Sequence, residues 1–389
     1  MKKLLLVICL LLGVATLQAQ DEKKEGKTIK LPSWISDVKL SGYGMLQYQA
    51  STQKNAKANT FNIRMGRIAL DGRILNDFYW KAQIQFNGNT STLGSSPRLV
   101  DLFVEWQKYP FAMIKVGQFK RAFTFENPMH PIDQGFYSYS QIISTLAGMS
   151  DRAGIHPSNG RDIGIQLQGE FLKNSNGRNL LHYQIGVYNG QGINTSDVDQ
   201  QKDLIGGVWV MPIKGLRIGA FGMTGSYARK GNWTEIDNRV QDDPVEITHT
   251  NEVRKLQQRR YALSAEYKAN DWTLRSEYIH STGKAFKTRY QKAENASDCA
   301  INDAIGDKAD GVYALAIAPV IKKKLYAKAR YDMYRSAGDW NSAKTLYEVG
   351  FNYVIHKNIQ INAEYAFVND RNLNKHNYNL FDVQLDFRF

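Results

Sequence analysis

Seven basic side chains stand out by position. Arg64 and Arg67 are three residues apart, Lys115, Lys120 and Arg121 follow closely on one another, and Arg152 and Arg161 lie just beyond. Guanidinium and ammonium groups gathered on one surface hold phosphate, carboxylate and other anions through charge-assisted hydrogen bonds. The chemistry they suit is anion binding and steering, with no covalent bond made or broken. Residues that would break bonds lack the spacing to do it. The histidines are scattered one per segment, and neither Gly-x-Ser-x-Gly nor His-Glu-x-x-His occurs. His156 near Ser150 and Asp151 is the one grouping that could be imagined as catalytic. A lone loop histidine is far more often just that. Asp197 and Asp199 read as turn residues, so no metal site and no cofactor are expected, and the protein is not expected to be an enzyme.

Such basic groups need a scaffold, and the scaffold is written in period 2. Along Phe78–Phe86, the residues Phe78, Trp80, Ala82, Ile84 and Phe86 share one parity, and Tyr79, Lys81, Gln83 and Gln85 share the other. Alternate residues of a strand point to opposite faces, so one face is apolar and the other polar. The pattern recurs in sixteen segments, from 38–50 to 376–389, most of them long enough to cross a bilayer as tilted strands. In the second segment the phase slips near Gly66, which reads as a bulge that lets Arg64 and Arg67 share a face.

Connections after even-numbered segments are tight, as at Asn76, Asn270 and His356. Those after odd-numbered segments are mostly long, as at 121–160, 226–257 and 282–309. This sorting of loops is the arrangement of an outer-membrane β-barrel. Residues 1–19, with Lys2 and Lys3 before the apolar Leu4–Val14, read as a signal peptide. Residues 20–37 read as a short periplasmic segment, and 38–389 as the barrel. The last segment carries Phe381, Val383, Leu385, Phe387 and Phe389 on one face, like the signal read by barrel-assembly machinery.

The fold expected is therefore an all-β, sixteen-stranded antiparallel transmembrane barrel in the outer membrane, wide enough to hold water. The polar parity should face the lumen. It carries both signs, including Lys81, Asp101, Glu105, Lys115, Asp162, Arg260, Arg275, Glu277, Lys328, Arg330, Asp332, Glu364 and Arg388. Loop 121–160 holds Phe123, Phe125, Phe136, Ile142, Ile143 and Leu146, so it should fold into the lumen and narrow it. The seven cations named first are the candidates for that constriction. The formal net charge is +13, and much of the excess lies in long loops, at Arg229, Lys230, Arg254, Lys284 and Lys287 among others. Such a mouth either steers anions or binds anionic lipid and lipopolysaccharide. The cations are dispersed and no nucleic-acid fold motif is present, so no nucleic acid is expected.

Several short motifs add a resemblance. They are Arg64-Met65-Gly66-Arg67 with Gly72, Gly117-Gln118-Phe119-Lys120 with Phe123 and Glu126, Arg161-Asp162 with Gly164, and Tyr188-Asn189-Gly190 with Asn194. From about residue 38 to the end, the chain resembles the phosphate-selective porin O and P family. The resemblance implies a homotrimer of sixteen-stranded barrels whose lumenal basic residues bind phosphate-type anions. Two other readings stay open: a general diffusion porin, and a barrel whose long outer loops bind or adhere.

Overall fold

The computed structural model describes residues 32–56, 59–86, 97–154, 158–237, 245–288 and 298–389. The proposed signal peptide and His156 lie outside these residues, as do Arg239, Arg289 and Lys292 of the outer loops.

Sixteen strands close into one barrel in which every strand pairs with its chain neighbours and the first pairs with the last. In chain order they are β1 (Ile35–Ser51), β2 (Thr60–Ile74), β3 (Phe78–Gln85), β4 (Arg98–Tyr109), β5 (Ala112–Lys120), β6 (Arg161–Lys173), β7 (Asn179–Tyr188) and β8 (Asp203–Val210). They continue as β9 (Leu216–Asp237), β10 (Val245–Ala269), β11 (Trp272–Thr282), β12 (Lys308–Ile321), β13 (Leu325–Arg335), β14 (Ala343–His356), β15 (Ile359–Asp370) and β16 (Asn377–Arg388). Closure leaves no unpaired strand edge, which is the condition for a sheet to cross lipid.

The faces sort as the alternation requires. On β16, Phe381, Leu385 and Phe387 are exposed on the outside, while Asp382, Gln384 and Asp386 are buried in the lumen. The tight turns follow from local chemistry too. Asn270 and Asp271 both take positive φ, the conformation of a two-residue hairpin turn that Asn and Asp tolerate. At the closing seam, Tyr43 to Ser51 pair with Arg388 to Leu380. There the rings of Phe389 and Phe387 lie over Gly42 and Gly44, filling the space a Cβ would need.

Two expectations change. The bulge sits at Arg64, since Met45 pairs with Met65 and Leu46 with Ile63. It is two residues before Gly66, and both arginines still reach the lumen: Arg64 bonds Gln384 of β16, and Arg67 bonds Gln85 of β3. Segment 226–257 is mostly a strand pair, because β9 and β10 stay paired out to Asp237 and Val245, with one register shift between His249 and Glu252. This hairpin packs Tyr227 and Leu256 against Phe286 and Cys299 in a small separate core. Arg229 lies over the Phe286 ring there, and Arg254 over Trp233. Part of the basic mouth therefore holds the outer loops together.

The main apolar core lies inside the barrel. Loop 121–160 turns into the lumen, where it forms a short helix, α1 (Gln141–Leu146). Its Phe123, Phe125, Phe136, Ile142, Ile143 and Leu146 pack against wall residues such as Phe221, Ile279, Tyr313 and Leu315. Burying each such side chain is worth about 1.5–3 kcal/mol, enough to hold a loop whose backbone would otherwise prefer water.

Candidate functional site

The mixed charges of the lumen divide by task. From β10 to β16 they grip the loop backbone. Glu277 accepts the backbone N–H groups of Phe125 and Glu126, each at 2.8 Å. Asp332 accepts from Gln141 N at 2.9 Å, and Glu364 from Tyr137 N at 3.0 Å. Cations take the carbonyls: Arg275 bonds Gln134 O, Lys328 bonds Gly135 O, Arg330 bonds Ser138 O and Arg260 bonds Leu146 O. The wall pairs also neutralise each other, as in Lys328–Glu364 at 2.5 Å and the fork of Arg330 on Glu348. A buried charge left alone is costly, so each cation here has both a carboxylate and a carbonyl in reach or a comparable set. At the loop's inner edge Asp133 meets Arg388 at 3.0 Å.

The opposite side, β3 to β7, faces a cavity of about 200 Å³ between the wall and loop residues Pro128, Met129 and His130. Lys81, Lys115, Lys120, Arg121 and Arg161 line it, with Asp101 as the carboxylate in the lining. Asp101 holds Arg161 at 2.6 Å and Lys81 at 3.8 Å. Glu105 stands 3.3 Å from Lys115, and Asp162 stands 2.7 Å from Arg121. Five cations against three carboxylates leave a positive excess. Lys120 carries it. Its ammonium reaches Tyr139 Oη at 3.5 Å and Met149 Sδ at 3.8 Å, and no carboxylate lies in ion-pair range among the described residues.

The loop side of the cavity is tuned by burial. His130, against the Tyr43 ring, is pushed down to about 4 by burial and then by Lys81 and Arg161, so it stays neutral at ordinary pH. Burial likewise raises the Tyr139 hydroxyl well above its usual range, so it remains a donor and bonds Met129 O at 2.7 Å.

Of the seven cations singled out by position, Lys115, Lys120, Arg121 and Arg161 meet at this cavity. Arg67 is buried beside it, bonding Tyr43 Oη at 3.0 Å, and Arg64 lies across β1 against β16. Arg152 goes elsewhere. It donates to the carbonyls of Gly283, Ile305, Gly306, Lys308 and Ser336, and so ties the outer loops to the loop's second root. Lys81, His130 and Tyr139 join the site without having been singled out. Lys81 was legible as a lumenal residue from the parity of β3. The other two depend on how the loop folds.

The family model for phosphate-selective porin O and P matches residues 41–314. The chain belongs to that family. It is an outer-membrane porin through which small hydrophilic solutes diffuse. Solved structures share the fold at low identity. An anion-selective porin from Comamonas acidovorans has a TM-score of 0.58 at 13% identity, covering 91% of this chain and 100% of that one. Salmonella typhi OmpF, in a complex with daunomycin, has 0.59 at 13%, covering 93% and 100%. Vibrio cholerae OmpT in its trimer form has 0.55 at 14%, covering 91% and 99%. No curated protein matches the chain.

Proposed function

We propose that this porin prefers anions, of the phosphate type among others, and that the cavity between β3–β7 and loop 121–160, the third outer loop, is its constriction. The observation that carries the reading is Lys120, a lumenal cation with no carboxylate in ion-pair range among the described residues, beside a wall of paired charges. A fixed positive excess in a narrow, low-dielectric passage concentrates anions and repels cations. Lys120, Arg161, Lys115 and Lys81 line the passage, with Arg67 behind them. Arg121 keeps its place through Asp162, and Arg152 acts from outside by holding the loop. The carboxylates Asp101 and Glu105 favour a second reading, a general diffusion porin, by lowering the net field.

By the same reading residues 1–19 are removed on export, and 20–37, whose last three residues already open β1, lead from the periplasm into the barrel. The porin works as a homotrimer, as the Vibrio cholerae protein of similar fold is described. The β16 aromatic face is read by the assembly machinery. The deciding experiment is reversal potential in planar bilayers under a salt gradient, with phosphate titrated against chloride current. Anion selectivity with block by phosphate supports the first reading. Weak selectivity without block supports the second.

A further inference from the structure

A second cavity, of about 470 Å³, lies between the loop and the wall formed by β10 to β16. Its lining residues sit beside the tight turns. Lys268 and Thr273 flank Asn270, Ile317 and Tyr326 flank the β12–β13 turn, and Asn352 and Gln360 flank His356. The cavity is therefore the inner vestibule, at the periplasmic end of the barrel. Its size falls within the range of about 300–1,000 Å³ usual for small-molecule pockets.

Three carboxylates, Asp133, Asp271 and Asp386, and three cations, Lys268, Lys328 and Arg388, line it, so neither sign is in excess. The cations are already matched. Arg388 holds Asp133 at 3.0 Å, Lys328 holds Glu364 at 2.5 Å, and Lys268 lies 3.3 Å from Glu266. Asp386 accepts from three amides, Gln384 at 2.7 Å, Asn362 at 2.9 Å and Gln360 at 3.1 Å. Asn352 donates to Asn362 at 2.9 Å. These bonds use amide N–H groups. The side-chain carbonyls of Asn352 and Gln360 have no partner among the described residues, and Asp271 Oδ2 is buried without one. The loop contributes apolar surface at Pro131 and Ile132, with Ile317 of β12 in the same lining.

A wall of acceptors without net charge, together with apolar surface, fits a ring whose edge carries hydroxyl groups and whose faces carry C–H bonds. We propose that the inner vestibule binds a neutral sugar of one or two rings. Its hydroxyls donate to Asn352, Gln360 and Asp271, and one ring face lies against Ile132 and Ile317. An anion gains nothing from a wall of balanced charge, and a cationic amine meets Lys268 and Arg388. Passage requires release, so the binding is weak, in the millimolar range. The site differs in kind from the basic constriction and stands whether or not that constriction selects anions.

The test uses the full-length porin in planar bilayers at about 1 M KCl, where screening mutes the field of the constriction. Maltose is added and the ion current followed, with glycerol at matched viscosity as the control. The expected result is a saturable fall in current, half complete at millimolar maltose, with excess current noise that glycerol does not produce. Asn352→Leu and Gln360→Leu should each raise the half-block concentration about threefold, and the double variant about tenfold, as the lost hydrogen bonds predict. Lys120→Ala, which acts at the constriction, should not move it. Heat-modifiable migration shows whether each variant is folded. If the double variant is not, Thr273→Phe, which narrows the cavity from β11, should abolish the block. A fall in current that tracks viscosity alone overturns the proposal. So does a block that none of the vestibule variants alters, or a block by glycylglycine and not by maltose, which would make the site one for zwitterions.

Discussion

Lys120 ends β5 where the chain leaves the wall, so its ammonium serves both strand and loop. A unit charge about 4 Å away in water is worth about 1 kcal/mol, or roughly fivefold in local ion concentration. Lys120→Ala should therefore lower the anion-to-cation permeability ratio by about two- to fivefold, read as a shift in reversal potential. Unchanged selectivity would remove Lys120 from the constriction. His130 makes a second residue-scale prediction. Its pKa in the seated loop is about 4, below the ordinary 6.5. A detached loop thus takes up a proton that the seated loop refuses. Seating is unaffected above pH 6.5, weakens as pH falls toward 4, and changes no further below that. Protease nicking of the loop should rise over this window, and His130→Phe should abolish the rise.

At the scale of elements, the third loop is held by hydrogen bonds to its backbone as well as by its apolar side chains. Glu277→Ala leaves two buried N–H groups without their acceptor, at about 1–3 kcal/mol each. Single channels of this variant should show larger conductance or frequent transitions to a wider state, while the sign of selectivity is kept. Conductance and noise like the parent's would show that apolar packing alone holds the loop. The seam strands make a separate prediction. Gly44→Val puts a branched side chain into the Phe387 ring, so barrel closure should fail or slow, seen as loss of heat-modifiable migration.

The elements also show what a sequence reveals. Membrane strands such as β3 were legible because lipid and water impose opposite demands on alternate residues, and Trp80 and Lys81 obey them. The upper halves of β9 and β10 were not, because beyond the membrane neither face of the hairpin needs to be apolar. Thr234, Glu235 and Ile236 are all exposed there. The bulge was misplaced by two residues since parity locates a slip only between markers. Arg152 looked like a constriction residue by position, yet its partners are backbone carbonyls, which leave no mark in a side-chain pattern. The clustering of Lys115, Lys120 and Arg161 was legible because β5 and β6 are paired neighbours flanking one loop.

For the whole molecule, the lumen is a closed sheet with one half covered by loop and the other bearing a modest positive excess. Its selectivity should be electrostatic and thus screened. The Debye length falls from about 10 Å at 0.1 M to about 3 Å at 1 M salt. The anion-to-cation permeability ratio should decline toward one over that range. A ratio independent of salt would point to size or dehydration as the sieve instead.

The β9–β10 hairpin runs from the rim row of Thr224 and Arg259 out to Asp237 and Val245. At about 3.3 Å per residue, that is a tower of roughly 40 Å along the strand. It rises from one pair of neighbouring strands. A bulky visitor at the cell surface, such as an antibody or a phage tail, meets this tower before it meets the pore. The tower thus gives the porin a surface identity that can change without altering what the channel conducts, and its tip is the place to graft an epitope.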